Sequence, residues 1–182
     1  MIITLVNGDP REKGNMDAQL SQFIQKLESN GHDVRLFTLR KLKLLNCVGC
    51  FSCWVKTPGL CVFPDASDTI RRNIIQSDLL IFASPIIMGF TSALMKKVQD
   101  KMIPLIHPSI AEIKGECHHK LRYPKYPEMA LIYEKTRDTD VRDIIITRTI
   151  YKRFVINMKS KLRFFYGTHQ NLKEAVYAID SH

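Results

Sequence analysis

Five short apolar runs predict the β-strands of this chain. Each is rich in β-branched, aromatic or other apolar residues, and the first and third end at proline-containing turns. The third, Leu-Leu-Ile-Phe-Ala, is the most apolar of the five. A strand without a polar face is typical of a parallel sheet, because other elements cover both faces of such a sheet. The predicted strands span residues 2–6, 34–39, 79–83, 129–133 and 162–166.

Between these runs, apolar residues recur every three or four positions, which is the spacing of an amphipathic helix. In the first such segment Met16, Leu20 and Leu27 share one face, and Gly31 follows as a helix-ending glycine. Strands alternating with helices predict a doubly wound α/β fold. We therefore expect a three-layer sandwich, with helices on both faces of a five-stranded parallel sheet and ligands at the carboxyl ends of the strands. The other predicted helices span residues 65–76, 94–102, 141–158 and 172–179.

The length of 182 residues is typical of one domain, so we expect a single domain over residues 1–182. Two segments interrupt its regular alternation of strands and helices. One is a cysteine-rich loop at 46–64, and the other is an excursion at 109–127, where two Tyr-Pro steps predict irregular structure. Cys117-His118-His119 lies in this excursion and could ligate a metal or pair a nucleophile with a base. We interpret it as a surface loop, because neighbouring side chains of an extended chain point apart.

Charge narrows the choice of partners. The chain has 27 Lys and Arg against 18 Asp and Glu, a net charge of +9, which favours anionic partners such as a phosphorylated cofactor or an acidic redox protein. The basic residues are spread along the late helical pattern and come without a recognition motif, so nucleic acid is not favoured. The opening apolar run is too short for an export signal, and no run is long enough to span a membrane. Clustered cysteines in such a chain indicate a reducing, cytoplasmic setting.

Four of the five cysteines fall within 15 residues, at the spacing C-x2-C-x2-C-x7-C. Three thiols in one run, with Pro58-Gly59 turning the chain back toward them, suit the four converging thiolates of a [4Fe–4S] cluster. Structural zinc sites more often show two separated knuckles. The spacing leaves zinc, a disulfide and free thiols open as alternatives. The candidate metal ligands are Cys47, Cys50, Cys53 and Cys61.

Two segments that follow predicted strands are candidates for binding a ligand. The first, residues 7–16, has glycines that allow close backbone approach at a helix N-terminus, where amides bind anions, and Arg11, Lys13 and Asn15 can add donors. It matches neither a P-loop nor a G-x-G-x-x-G fingerprint, and a plain turn with a helix cap is the alternative. The second, residues 84–92, is predicted to be a loop with apolar side chains on which a flat heteroaromatic ring could lie.

These segments together resemble flavodoxin-like NAD(P)H-dependent FMN reductases and iron–sulfur flavoproteins. Asn7-Gly8-Asp9-Pro10-Arg11 with Gly14-Asn15 is similar to the family's phosphate loop, and Ser84-Pro85-Ile86 to its isoalloxazine loop. The compact cysteine run, with Asp65 after it, is similar to the cysteine motif of iron–sulfur flavoproteins, and residues 94–101 resemble the helix after the isoalloxazine loop. The specific motifs cover residues 1–108.

The resemblance implies a flavodoxin-like fold and non-covalently bound FMN that accepts a hydride from NAD(P)H and passes electrons to a cluster. It also implies a homodimer or homotetramer, and chemistry carried by the cofactor without a side-chain nucleophile or acid–base pair. The residues implied for the phosphate are Asp9, Arg11, Asn15 and Met16. Those implied for the ring are Ser84, Pro85, Ile86, Ile87, Met88, Gly89 and Phe90.

The chain departs from the family pattern at three of these positions. Asp9 stands where serine is usual, Met16 where threonine is usual and Ile87 where tyrosine is frequent. The first loop thus lacks two hydroxyl donors and carries more carboxylates than cations, which serves a phosphate dianion poorly. The alternative function is a non-enzymatic flavodoxin-fold binding module, whose cysteine loop holds zinc or free thiols and whose basic surface binds an acidic partner.

Overall fold

The structure, a computed structural model, describes residues 1–12, 14–113, 115–170 and 172–181. The strands are β1 (Ile2–Asn7), β2 (Asp33–Thr38), β3 (Leu79–Ile87), β4 (Phe90–Thr91), β5 (Ile106–Ile113), β6 (Glu116–Leu121), β7 (Glu128–Lys135) and β8 (Leu162–Gly167). The helices are α1 (Asn15–Ser29), α2 (Ser52–Val55), α3 (Ala66–Gln76), α4 (Ala93–Asp100), α5 (Val141–Asn157) and α6 (Lys173–Asp180).

The five predicted strands form one parallel sheet in the order β2-β1-β3-β7-β8. Each pair is in parallel register, with Leu5 opposite Ile81 and Ile81 opposite Ala130 through the centre of the sheet. Counting the long strands alone, this is the 2-1-3-4-5 order of flavodoxin-like folds. The flavodoxin-like, doubly wound prediction is confirmed.

The core lies on both faces of the sheet, as expected for three layers. Along β3, Leu80 and Phe82 pack on one side with α3, α4 and α5. Leu79, Ile81 and Ala83 pack on the other side with α1 and α6. Because successive side chains of a strand point to opposite faces, the unbroken apolar run supplies both cores at once. No helix of the described residues is long and apolar enough to cross a membrane.

The structure corrects the prediction of irregular structure over 109–127. Most of that segment belongs to an antiparallel hairpin of β5 and β6, with Ile110 opposite His119 and Ile113 opposite Glu116. The Tyr-Pro steps follow this hairpin and break only the chain beyond Leu121. The hairpin is separate from the main sheet, and all its strand positions except Ile106 and His118 are exposed or only partly buried, so it lacks the apolar alternation by which strands are recognised. Cys117-His118-His119 is therefore part of a strand, and the surface-loop interpretation is wrong.

The segment predicted as a loop after residue 83 is also different. β3 continues through Ser84, Pro85 and Ile86 to Ile87, and its pairing with β7 continues to Ile86 opposite Lys135. A short hairpin to β4 follows, with Ile87 opposite Phe90. Ser84-Pro85 suggested a turn, yet the strand continues through the proline, so the segment expected to bind the ring begins as the end of β3.

Candidate functional site

The carboxyl ends of β1 and β3 are fastened together at one edge of the sheet. The Gly8 backbone N–H donates to the Ala83 carbonyl at 2.8 Å, and the Ser92 hydroxyl donates to the Gly8 carbonyl at 2.5 Å. Ser92 also caps α4 by accepting from the Met95 N–H at 3.1 Å. A Cβ on Gly8 would meet the Met95 and Ser92 side chains at 3.0–3.1 Å, so a larger residue here would need these side chains to shift by a few tenths of an ångström. The first loop, the end of β3 and the start of α4 are thus held as one unit.

Asp9 is the central residue of the first loop. Its side chain is 0% exposed, and one carboxylate oxygen accepts from the Arg11 backbone N–H at 3.0 Å and from Arg11 Nε at 2.9 Å. The other oxygen accepts from Arg11 Nη2 at 2.9 Å. Burial alone would raise the pKa of Asp9, but these hydrogen bonds and the Arg11 charge outweigh burial and lower it. Asp9 is therefore a buried carboxylate whose charge is balanced, and whose oxygens are hydrogen-bonded, by Arg11 within the loop.

Carboxylates also pair with the two arginines around this loop. Arg11 Nη2 donates to Glu134 Oε2 at 2.5 Å, and its pKa is raised, mainly by Asp9 and also by Glu134. Arg40 donates to Asp17 Oδ2 at 2.5 Å and to the Asp9 carbonyl at 3.2 Å. Both guanidinium groups are therefore paired with carboxylates. A negatively charged ligand at this loop would find both arginines already paired.

The remaining residues expected at the phosphate contribute little. Asn15 is exposed at the first turn of α1. The Met16 side chain is 0% exposed in the core, so only its backbone could face a ligand. Lys13 lies outside the described residues. In this conformation Asp9 occupies the Arg11 backbone amide and two Arg11 guanidinium nitrogens, so these donors are not free for the phosphate of FMN.

The β3–β4 hairpin forms the second part of the site. Met88 and Gly89 connect the strands with φ of 50° and 73°, which is the left-handed conformation that tight hairpin turns require. Ile87, Met88 and Phe90 are exposed, and Met88 is 93% exposed. A cluster of three uncovered apolar side chains on a rigid turn fits one face of a flat aromatic ring.

The other residues expected at the ring are buried. Ser84, Pro85 and Gly89 are buried, and Ile86 is 0% exposed within the core. The Ile86 side chain therefore cannot face a ring, although its backbone lies at the edge. The hydroxyls of Thr136 and Thr139, after β7, both donate to the Ile86 carbonyl at 3.1 Å. Sequence reasoning missed these two residues, which fix the end of β3 from the neighbouring strand.

All four candidate metal ligands line a single cavity. Cys47, Cys50, Cys53 and Cys61 surround it, and its volume is about 30 Å³. Burial raises the pKa of Cys53, and so do the charges of the other three thiols. Hydrogen bonds from Ser52 lower the pKa of Cys50. Four thiols are the donor set of a cubane cluster, and the cavity between them is small in this conformation.

The thiols are near one another without forming a preassembled metal site. Among the described residues, no three His, Cys, Asp or Glu side chains are gathered closely enough to hold a metal ion. The cysteine ligand set fits a cluster chemically, although the thiols are not gathered around a metal position in this conformation. Cys117 is in β6, outside this cavity.

The cavity lies at the far end of α4 from the sheet edge. Its wall includes Asp100 and Lys101 at the end of that helix, whereas Ser92 begins the helix beside the first loop. Nine residues at about 1.5 Å each separate the two ends by about 13 Å along the helix axis. The cysteine site is therefore separated from the sheet edge by the length of α4.

Two anchors, which sequence reasoning missed, hold the cysteine loop in place. The Lys101 ammonium donates to Asp65 Oδ2 at 2.7 Å and to the Phe63 carbonyl at 3.2 Å, and Asp65 accepts from the Leu45 N–H at 2.7 Å. Burial would raise the pKa of Asp65, but hydrogen bonds from Lys101, Ser67 and Leu45 lower it to about 2. This pair therefore connects both ends of the loop to α4.

The second anchor is Trp54 in α2. Its indole N–H donates to the carbonyls of Ile103 and Ile106, each at 3.1 Å. Its ring lies 5.0 Å from that of His119 and 5.1 Å from that of Phe51, between centroids. The hairpin of β5 and β6 thus packs directly on the cysteine helix.

Comparison with known proteins assigns this chain to a family of flavin reductases. Residues 1–120 match the model of the NADPH-dependent FMN reductase family. This match takes in the first loop, the cysteine run and the β3–β4 hairpin. The chain belongs to the NADPH-dependent FMN reductase family, as the sequence motifs predicted.

Its curated relatives include several iron–sulfur flavoproteins. One from Archaeoglobus fulgidus is 35% identical over 100 residues, which are 55% of this chain and 44% of that protein. One from Methanocaldococcus jannaschii is 24% identical over 152 residues, which are 84% of this chain and 70% of that protein. A second iron–sulfur flavoprotein from Methanocaldococcus jannaschii is 29% identical over 100 residues, which are 51% of that protein. The chain therefore spans about half the length of this relative and of the one from Archaeoglobus fulgidus.

Solved structures agree on the fold. The NAD(P)H:quinone oxidoreductase from Methanothermobacter marburgensis superposes with a TM-score of 0.64 at 13% identity, covering 94% of this chain and 88% of that one. A putative quinone reductase from Klebsiella pneumoniae gives 0.64 at 12% identity, covering 98% and 81%. At such low identity these likenesses establish the flavodoxin-like fold alone.

Proposed function

We propose that this chain is an FMN-dependent oxidoreductase or electron-transfer flavoprotein that uses NAD(P)H and holds a [4Fe–4S] cluster in its cysteine loop. The observation that carries the proposal is the exposed apolar turn at Ile87, Met88 and Phe90, on the sheet edge where doubly wound folds bind ligands. The family membership and the four thiols around one cavity support it.

The residues have separate roles in this proposal. The rigid hairpin from Ile87 to Phe90 supplies the apolar face for the flavin ring, and the Thr136 and Thr139 hydroxyls hold the strand end beneath it. Cys47, Cys50, Cys53 and Cys61 ligate the cluster. A flavin held here would supply two-electron chemistry with NAD(P)H as the hydride donor, and a cluster held by the four cysteines would supply one-electron transfer. The +9 net charge suits an acidic redox protein as the acceptor.

Oligomerisation would help to complete the site. The flavin face of the hairpin is open on this single chain, and the thiol cavity is about 13 Å away along α4. A homodimer or homotetramer could cover the exposed apolar turn with a second copy. We include this assembly in the proposal, since contiguous uncovered apolar surface often marks an interface or a ligand site.

The test is purification without oxygen, followed by iron, acid-labile sulfide and flavin analysis. We expect iron and sulfide near four per chain, and a flavin that is released on denaturation and reduced by NADPH or NADH. Cys53→Ser should lose iron, whereas Cys117→Ser, outside the cavity, should keep it. Ile87→Asp should lose flavin, whereas Ile110→Asp, equally exposed on the hairpin of β5 and β6, should keep it. A protein with neither iron nor flavin would contradict the proposal.

Metal analysis separates this proposal from the binding-module alternative. The thiol cavity is small, and zinc is a single ion that four thiolates can enclose without room for a cubane. One zinc per chain, without iron and without flavin uptake, would support a non-enzymatic module that binds an acidic partner through its basic surface.

A further inference from the structure

We infer that Asp9 acts as a built-in anion in the first loop, so that the site binds a flavin without using its terminal phosphate. Riboflavin, which lacks that phosphate, then binds as tightly as FMN. This inference rests on the proposed flavin site and specifies the class of flavin that the site takes.

The first argument is the set of donors that Asp9 occupies. A phosphate at a strand-to-helix loop is usually held by backbone amides and a nearby cation. Here the Arg11 amide and two Arg11 guanidinium nitrogens all point to the Asp9 carboxylate, at 2.9–3.0 Å. The two carboxylate oxygens thus accept three hydrogen bonds that these Arg11 donors could otherwise give to a phosphate.

The second argument is the space inside the loop. A Cβ placed on Gly14 would lie 2.7 Å from Asp9 Oδ2, so the carboxylate rests against the loop's second glycine. Asp9 is 0% exposed, which shows that the loop closes around it. In this conformation the Asp9 carboxylate itself occupies the position between Gly14 and the Arg11 donors.

The third argument is charge. Arg11 is shared between Asp9 and Glu134, and Arg40 is engaged by Asp17. Among the described residues around the loop, both arginines that a phosphate dianion could pair with are therefore already paired with carboxylates. Bringing like charges together in a partly buried site is unfavourable, and moving Asp9 aside would break its charge-assisted hydrogen bonds to Arg11.

The test begins with the wild-type protein, freed of any bound flavin, and needs no variant. Its dissociation constants for riboflavin and FMN are measured by quenching of flavin fluorescence, with and without inorganic phosphate. We expect the two constants to agree within about threefold, and phosphate to leave FMN binding unchanged. FMN binding more than about tenfold tighter than riboflavin, with competition by phosphate, would overturn the inference but leave the proposed function standing. Binding of neither flavin would overturn both.

A pair of variants then tests whether Asp9 is the cause. Asp9→Ser removes the carboxylate, restores the hydroxyl that the family pattern has there, and frees the Arg11 donors. We expect FMN to bind about tenfold tighter while riboflavin changes by less than about threefold, because charge-assisted hydrogen bonds to phosphate are gained. Glu12→Gln makes the same change in charge on an exposed side chain of the same loop, and it should change neither constant.

Equal gains in FMN affinity for both variants would mean that the net charge of the loop, and not the position of Asp9, decides the affinity, which would contradict the inference. No gain in FMN affinity for a folded Asp9→Ser protein would do the same. If Asp9→Ser does not fold, Asp9→Asn keeps the shape while removing the charge, and the wild-type ratio of the two constants still decides the inference.

Discussion

The buried pair of Lys101 and Asp65 offers a sharp test of how the cysteine loop is held. Their side chains are 2% and 1% exposed, and the ammonium lies 2.7 Å from Asp65 Oδ2. Lys101→Met keeps the length and apolar stem of the side chain but removes the charge. Asp65 would then remain a buried carboxylate without a cation, and the Phe63 carbonyl would lose a donor.

The expected loss is about 3 kcal/mol in the free energy of unfolding. Removing one partner of a buried ion pair usually costs about 3–5 kcal/mol, because the other charge is left uncompensated. The lower end applies here, since Asp65 keeps hydrogen bonds from the backbone N–H groups of Leu45 and Ser67. With a slope of about 2 kcal/mol per molar urea, the unfolding midpoint should fall by about 1.5 M.

The assay is urea unfolding with excess reductant, because the described cysteines are free. Lys96→Met is the matched control: it lies on the same helix and pairs with Asp100, but the two side chains are 46% and 45% exposed. An exposed pair contributes little, so this control should shift stability by less than about 0.5 kcal/mol. The double variant Lys101→Met with Asp65→Asn should recover part of the loss, because no charge is then left unpaired.

Equal effects of Lys101→Met and Lys96→Met would refute this reasoning. So would a double variant that is less stable than Lys101→Met alone. Either result would mean that the buried pair does not hold the ends of the cysteine loop.

Three further changes test other parts of the structure. Acid should lower the stability of the fold through Asp65, because its pKa is about 2 in the folded protein against 3.8 for an ordinary aspartate. This difference contributes about 2 kcal/mol to the free energy of unfolding above pH 4, and that contribution is lost as the pH falls toward 2. Lys101→Met should reduce this loss, and an unchanged acid limb in urea-unfolding scans would contradict it. Trp54→Phe keeps an aromatic ring but loses the indole hydrogen bonds to Ile103 and Ile106. It should lower the free energy of unfolding by about 1–2 kcal/mol and speed thiol labelling of the cysteine loop. Unchanged labelling would show that the indole N–H is not an anchor. Ser92→Ala removes the cap of α4 and leaves the buried Gly8 carbonyl without its donor, so the free energy of unfolding should fall by about 2 kcal/mol; a loss under about 0.5 kcal/mol would contradict this.

The strands and helices could be predicted because their patterns are local. The unbroken apolar run at 79–83 indicates a strand that is buried on both faces. In α1, apolar residues at every third or fourth position indicate a helix with one buried face. The β5–β6 hairpin could not be recognised in this way, because its polar residues do not alternate with apolar ones. The extension of β3 was hidden by Ser84-Pro85, which resembles a turn unless the pairing with β7 is known.

The candidate site was predictable in its ligand types but not in its contacts. Residue identity marked the four cysteines and the apolar turn, yet the pairing of Lys101 with Asp65 joins positions far apart in the chain. Asp9 could be identified as an unusual residue from the family pattern. Its inward orientation depends on Arg11 and Gly14, and only the folded loop shows it.

The flavin site at the edge of the sheet is tested most directly by the absorption spectrum of protein prepared without oxygen and then titrated with FMN and riboflavin. We expect flavin bands that saturate at about one flavin per chain, over the broad absorbance of an iron–sulfur cluster, and bleaching of those bands by NADPH or NADH. A colourless protein that takes up neither flavin would contradict the flavin site at Ile87, Met88 and Phe90.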